Sequence, residues 1–254
     1  MAAQTAQPAR RRGVILDTLR GIAIIYMVFF HLLYDLSEIF YLAWAQPIYD
    51  SQLSVVVFDT AAFVLLAGIT VRLSRNPAAH GALILCIATL FTAVTALIFP
   101  GFGIYFGVLH LIGISMLLYS VTGKYLDKMP WWAGALIFAL LFAFTYNVKL
   151  GYFGIEGIFT LDVPKAYLTG SLMYPFGFVD ARFASVDYLP LMPWSFLFLA
   201  GACVGRLSQR TLPEFCYKSL CPPLEWLGRH SLAIYVIHQP VIFVLVYAIV
   251  NIFG

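Results

Sequence analysis

Three ionisable residues, Arg20, His31 and Asp35, interrupt the apolar run LDTLRGIAIIYMVFFHLLYDL at 16–36. On a helix of 3.6 residues per turn, the offset from Arg20 to His31 returns to within roughly 20° of the same face after a rise of roughly 16 Å. His31 and Asp35 are one turn apart and share that face as well. An imidazole beside a carboxylate can accept and release a proton near neutral pH. A guanidinium matches the geometry of phosphate. Arg or Asp near the centre of a membrane helix costs roughly 2.5 to 3.5 kcal/mol on insertion scales, so a stripe of such groups points to function.

The elements that must position this stripe follow from composition. Of 254 residues, 62% are hydrophobic, 17% aromatic and only 11% charged, with mean hydropathy +0.89. Such a chain is expected to be an all-α, polytopic membrane protein embedded in a lipid bilayer, and a nucleic-acid partner has no support. Apolar runs long enough to cross the hydrocarbon layer fall at about 15–36, 53–72, 81–99, 104–122, 131–148, 189–206 and 231–252, predicting seven spans. The basic segment MAAQTAQPARRR reads as the flank of an uncleaved first span. Twelve Lys and Arg fall on one side of this topology and three on the other, which predicts the N-terminus in the cytoplasm and the C-terminus outside. The segment at 165–180 is apolar but short and broken by Pro175 and Gly177, so a re-entrant stretch is expected. No repeat or soluble linker is visible, and 1–254 reads as a single transmembrane domain. The four cysteines show no metal-ligand spacing, and no metal is expected.

Helix rise then sorts the polar residues by depth. His31, Asp59 and His110 fall in the outer half of their spans, with Asp187 and Trp194 near the outer start of the sixth, so Asp59, His110, Asp187 and Trp194 are candidates to bind a substrate beside His31. Arg20, Arg72, Arg75, Arg206 and Arg229 form an inner basic layer suited to phosphates. His238, with Gln239, lies roughly 12 Å from the inner end of the last span, between the two layers. Each has a plainer reading. Arginines at inner helix ends also fix topology and anchor headgroups, a lone His can be an interhelical hydrogen bonder, and Trp at span ends belongs to the aromatic belt.

Arg20, ten residues, then His31 resembles the Arg-x10-His signature of acyltransferase family three. The chain is still more similar to bacterial relatives of the heparan-α-glucosaminide N-acetyltransferase catalytic domain. That resemblance runs through the first span, GVLHLIGISMLL at 107–118, DYLPLMPWSFLFLAGACVGR at 187–206 and LGRHSLAIYVIHQPV at 227–241. It implies transfer of an acetyl or other acyl group from cytoplasmic acetyl-CoA to a sugar amine or hydroxyl of an extracytoplasmic glycan. It also implies a bacterial inner-membrane location and leaves room for a homodimer. The lysosomal enzyme of that family carries Asn at the position of His31 and its active His in the following loop. Loop 37–52 here has no His, so the base is expected to be His31, oriented by Asp35, or His110. Two alternatives stand beside this reading: a proton-coupled transporter or flippase, and a non-catalytic membrane subunit.

Overall fold

The computed structural model of the chain describes residues 13–98, 101, 103–168, 173–180, 182–209 and 214–253. Arg10, Arg11, Arg12 and Arg210, which entered the charge count, lie outside the described residues. Six helices are long and apolar enough to cross a membrane by length and composition, and the chain is all-α and polytopic. The chain divides into two compact units, Met1–Thr60 with Thr211–Gly254, and Ala61–Arg210.

In the first unit, α1 (Val14–Tyr34) starts after Gly13, with Asp17 in its first turn where a carboxylate complements the helix dipole. At its far end the helix widens into a π-turn, Asp35–Ile39, closed by the Phe40 amide donating to the Asp35 carbonyl at 2.9 Å. Single π-turns of this kind commonly re-aim side chains at functional sites. The first residues of α2 (Gln46–Val71) belong to this unit. Near the other end of the chain, α8 (Pro222–Arg229) opens on two prolines, which suit the first helical positions. Glu225 reaches back over that start, accepting from Ser219 Oγ at 2.7 Å and the Leu220 amide at 3.1 Å. α8 lies on α1 at van der Waals distance. Gly228 faces the Asp17 carbonyl and Gly21 faces the Leu224 carbonyl, so a side chain at either place would strike backbone. The last helix, α9 (Ser231–Phe253), also packs on α1 and carries Pro240 inside it. Phe243 of α9 meets Phe40 at 5.8 Å between ring centroids.

In the second unit, α3 (Pro77–Ile98) has Asn76 before it, whose Oδ1 accepts from the Ala79 amide at 3.0 Å. It pairs with α4 (Val108–Leu126), and α5 (Trp131–Thr145) pairs with α7 (Leu191–Val204). A small antiparallel hairpin, β1 (Tyr152–Ile155) and β2 (Phe159–Asp162), follows α5 and was not expected from the apolar pattern. The described part of the 165–180 segment consists of a four-residue helix, α6 (Lys165–Leu168), and a 3-10 turn, Tyr174–Phe176. Residues 169–172 of that segment lie outside the described residues. The expected sixth span is shorter than its apolar run. Pro190 and Pro193 hold the entry extended, so α7 has 14 residues with Met192 non-helical. At 1.5 Å per residue it covers about 21 Å, against a hydrocarbon layer of roughly 30 Å.

Candidate active site

The first unit brings together side chains that lie 204 positions apart. His31 projects from α1, Asp35 from the first position of the π-turn, and His238 and Gln239 from the turn of α9 that precedes Pro240. The His31 and His238 rings meet edge to face, 4.8 Å between centroids at 82°. Gln239 Nε2 donates to Asp35 Oδ1 at 2.6 Å. Asp35 is fully buried and His238 is 7% exposed, whereas His31 is half-buried. Phe30 and Tyr34 of α1 pack against Tyr49 of α2 next to this cluster, at 5.4 and 6.0 Å between rings.

The hydrogen bonds determine what these groups can do. Nδ1 of His31 lies 2.9 Å from the Met27 carbonyl, and Nδ1 of His238 lies 2.6 Å from the Tyr235 carbonyl. A carbonyl only accepts, so both Nδ1 atoms carry the proton in the neutral ring and both Nε2 atoms keep a lone pair. The Asp35 carboxylate likewise requires the amide NH2 of Gln239, which leaves the Gln239 carbonyl oxygen unused. Among the described residues, Asp35 Oδ2, His238 Nε2 and Gln239 Oε1 are all buried without a hydrogen-bond partner. Three unpaired acceptors in one buried cluster call for a ligand with several N–H or O–H donors.

This differs from the sequence reading in two respects. Asp35 holds Gln239 rather than orienting the ring of His31, whose position is set by its own helix backbone. Depth counted along the last span put His238 below His31, on a passage between layers, yet the two rings are in contact. Helix rise measures distance along one axis, whereas the offset between two helices is set by how they pack. Gln239 was missed as a partner of Asp35 for the same reason. Its visible signal was its placement, a polar pair just before a proline inside an apolar span.

Other candidates in this unit sit elsewhere. Asp59 lies half-buried on α2. Arg20 and Arg229 are the immediate neighbours of Gly21 and Gly228, flanking the crossing of α1 and α8, with Arg229 exposed.

In the second unit the candidate residues are bound into local structure. His110 Nδ1 accepts from the Gly107 amide at 3.3 Å, so its proton lies on Nε2, which faces Thr92 Oγ1 at 3.3 Å. With its lone pair used at the start of α4, His110 is poorly placed to act as a base. Asp187 Oδ2 accepts from the Val108 amide at 3.2 Å, anchoring the same helix start. Trp194 is buried, edge-on to Phe142 at 5.6 Å. Arg72 is buried, donates to the Ala202 carbonyl and pairs with Asp127 at 2.7 Å. Arg206 donates to the Met129 carbonyl, and Arg75 is exposed. A cleft of about 490 Å³ is lined in part by Tyr105, Tyr174, Phe183, Asp180 and Arg182. Its wall is tied by Tyr188, whose hydroxyl donates to the Tyr174 carbonyl at 2.5 Å. Burial pushes the Tyr188 phenol up, aided by the neighbouring Tyr174, so the hydroxyl stays a donor. Among the described residues, no three His, Cys, Asp or Glu side chains gather as metal ligands.

Fold and site together define an integral membrane protein of all-α architecture with a cluster of two histidines, an aspartate and a glutamine, most of it buried, between its first and last helices. The chain belongs to the family described as Heparan-alpha-glucosaminide N-acetyltransferase, catalytic, whose model matches residues 12–240. That membership makes it a membrane acetyltransferase in general terms. The match ends at Pro240 and so takes in all four residues of the cluster. No curated protein and no solved structure matches the chain.

Proposed function

We propose that the protein transfers an acetyl group from cytoplasmic acetyl-CoA to the amine of a sugar on the opposite side of the membrane. The observation that carries this reading is the set of buried, unpaired acceptors at Asp35, His238 and Gln239 beside His31. A sugar amine offers several N–H donors and, as ammonium, a charge that a carboxylate matches. A hydroxyl offers one donor and fills the same set less well. Nε2 of His31, on the most open ring of the cluster, accepts a proton from the amine as its nitrogen attacks the thioester carbonyl. The C–N bond forms, the C–S bond breaks, and the thiolate of CoA takes up a proton.

Arg229, exposed at the end of α8, is the guanidinium proposed to meet the phosphates of CoA, whereas Arg72 and Arg206 are engaged within their own unit. The positive-inside count supports the direction of transfer, inward-facing donor to outward-facing acceptor. A bacterial inner membrane is the location proposed with this reading, and the resemblance to bacterial relatives supports it.

The test is acetyl transfer from acetyl-CoA to glucosamine by the full chain in proteoliposomes. His31→Ala is expected to lower kcat about a hundredfold or more, the usual range for a lost general base. The variant should keep the thermal stabilisation that acetyl-CoA gives the native protein. Full transfer by a folded His31→Ala protein would overturn the assignment, and solute flux without CoA would favour a transporter.

A further inference from the structure

We infer that His238 is a second proton acceptor, the group that converts an incoming ammonium into a nucleophile before His31 takes the next proton. This rests on the amine acetylation proposed above. A sugar amine near neutral pH is largely ammonium, and its nitrogen has no lone pair with which to attack. On the way from ammonium to amide the nitrogen must shed two protons. One leaves to expose the lone pair, and the second leaves as the C–N bond forms and the C–S bond breaks. One of the two returns to the thiolate of CoA, and the other passes to water. A single imidazole holds only one proton at a time on its free nitrogen.

The site carries two imidazoles in the same state. Each Nδ1–H is committed to a backbone carbonyl, Met27 for His31 and Tyr235 for His238, and each Nε2 keeps its lone pair. The two are not equivalent. His31 is half-buried, whereas Nε2 of His238 is buried without a partner among the described residues. An interhelical packing residue would have both nitrogens paired. The unpaired carboxylate oxygen of Asp35 and the unpaired Gln239 carbonyl lie in the same cluster and can hold the remaining N–H groups of an ammonium. The titratable groups around His238 are His31 on α1, Asp35 on the π-turn and Tyr235 on its own helix. Asp35 is held beside them by Gln239, the neighbour of His238 in the chain.

The dependence of kcat/KM on pH with glucosamine as acceptor tests this. A protein that binds ammonium and deprotonates it gives a bell whose falling limb follows the pKa of the amine. His238→Asn keeps an N–H for the Tyr235 carbonyl but has no ring base, so it must wait for free amine. Its kcat/KM near neutral pH is expected to fall severalfold, in line with the share of acceptor that is free amine, and to rise with pH through the pKa of the amine. A purely structural role would lower activity equally at every pH. His238→Gln provides the same comparison should the Asn variant fail to fold, with acetyl-CoA stabilisation as the folding control. A wild-type profile that rises through the amine pKa, or a variant profile parallel to a wild-type bell, would overturn the role of His238 and leave the acetyltransferase reading intact. Absence of any transfer to amines by the wild-type protein would overturn both.

Discussion

Gln239 on the last helix donates its amide to Asp35 at the end of the first, 2.6 Å across 204 positions of sequence. This bond fixes the two halves of the proposed site against each other. It also keeps a fully buried carboxylate from standing alone.

Gln239→Leu is therefore expected to destabilise the protein, because both Asp35 oxygens then lack a donor. Leaving a buried polar group unsatisfied costs about 1–3 kcal/mol. The double variant Asp35→Leu/Gln239→Leu should lose less than the sum of the single variants. Thermal unfolding of the four proteins in one detergent checks this, and additive losses would mean that the pair is not coupled.

The basic residues should separate into two groups. Arg72→Met removes a buried guanidinium that holds the Ala202 carbonyl and Asp127. It is expected to lower Tm and leave the KM for acetyl-CoA unchanged. Because Asp127 is about half exposed, its loss of a partner is partly compensated by water, and about 1–2 kcal/mol is the expected scale. Arg229→Ala, at an exposed position, should change stability by less than about 0.5 kcal/mol and raise the KM for acetyl-CoA. Parallel steady-state and unfolding measurements distinguish the groups.

Gly228→Val places a branched side chain against the Asp17 carbonyl where α8 lies on α1. Both neighbours are backbone and cannot rotate away. A loss of about 3 kcal/mol is expected, at the upper end of the range for overpacking, read as a lowered Tm and a reduced yield of folded protein.

Tyr188 sets an expectation for alkaline pH. Its phenol is pushed up by burial, so the folded state keeps the proton after an unfolded chain has lost it. The stability this group contributes is present below the ordinary tyrosine value of about 10 and is lost as the pH rises beyond it. Tyr188→Phe should flatten that loss at the cost of about 1 kcal/mol near neutral pH. Unfolding midpoints between pH 8 and 11 test the sign.

Much of the fold is legible in the sequence. Composition and run length determine an all-α membrane chain, since only closed backbone hydrogen bonding survives in lipid. The cost of ionisable groups in hydrocarbon singles out His31 and Asp35, and four motifs in order point to the acetyltransferase family. Hydropathy is less able to foresee the length of α7, because two prolines delay the helix start without making the run any less apolar. The hairpin at 152–162 stays hidden because four-residue strands carry little periodic signal.

The sequence by itself thus determined which residues are costly and how deep each lies along its own helix. Only tertiary structure decided which of them meet. It set His238 against His31 and gave Asp35 to Gln239, through the close approach of α1 to its neighbours. It also tied His110, Asp187 and Arg72 into helix starts and buried pairs. The reason is physical: a helix repeats at 3.6 residues whatever stands beside it, whereas the offset and neighbour of a second helix depend on contacts that no single stretch of sequence contains.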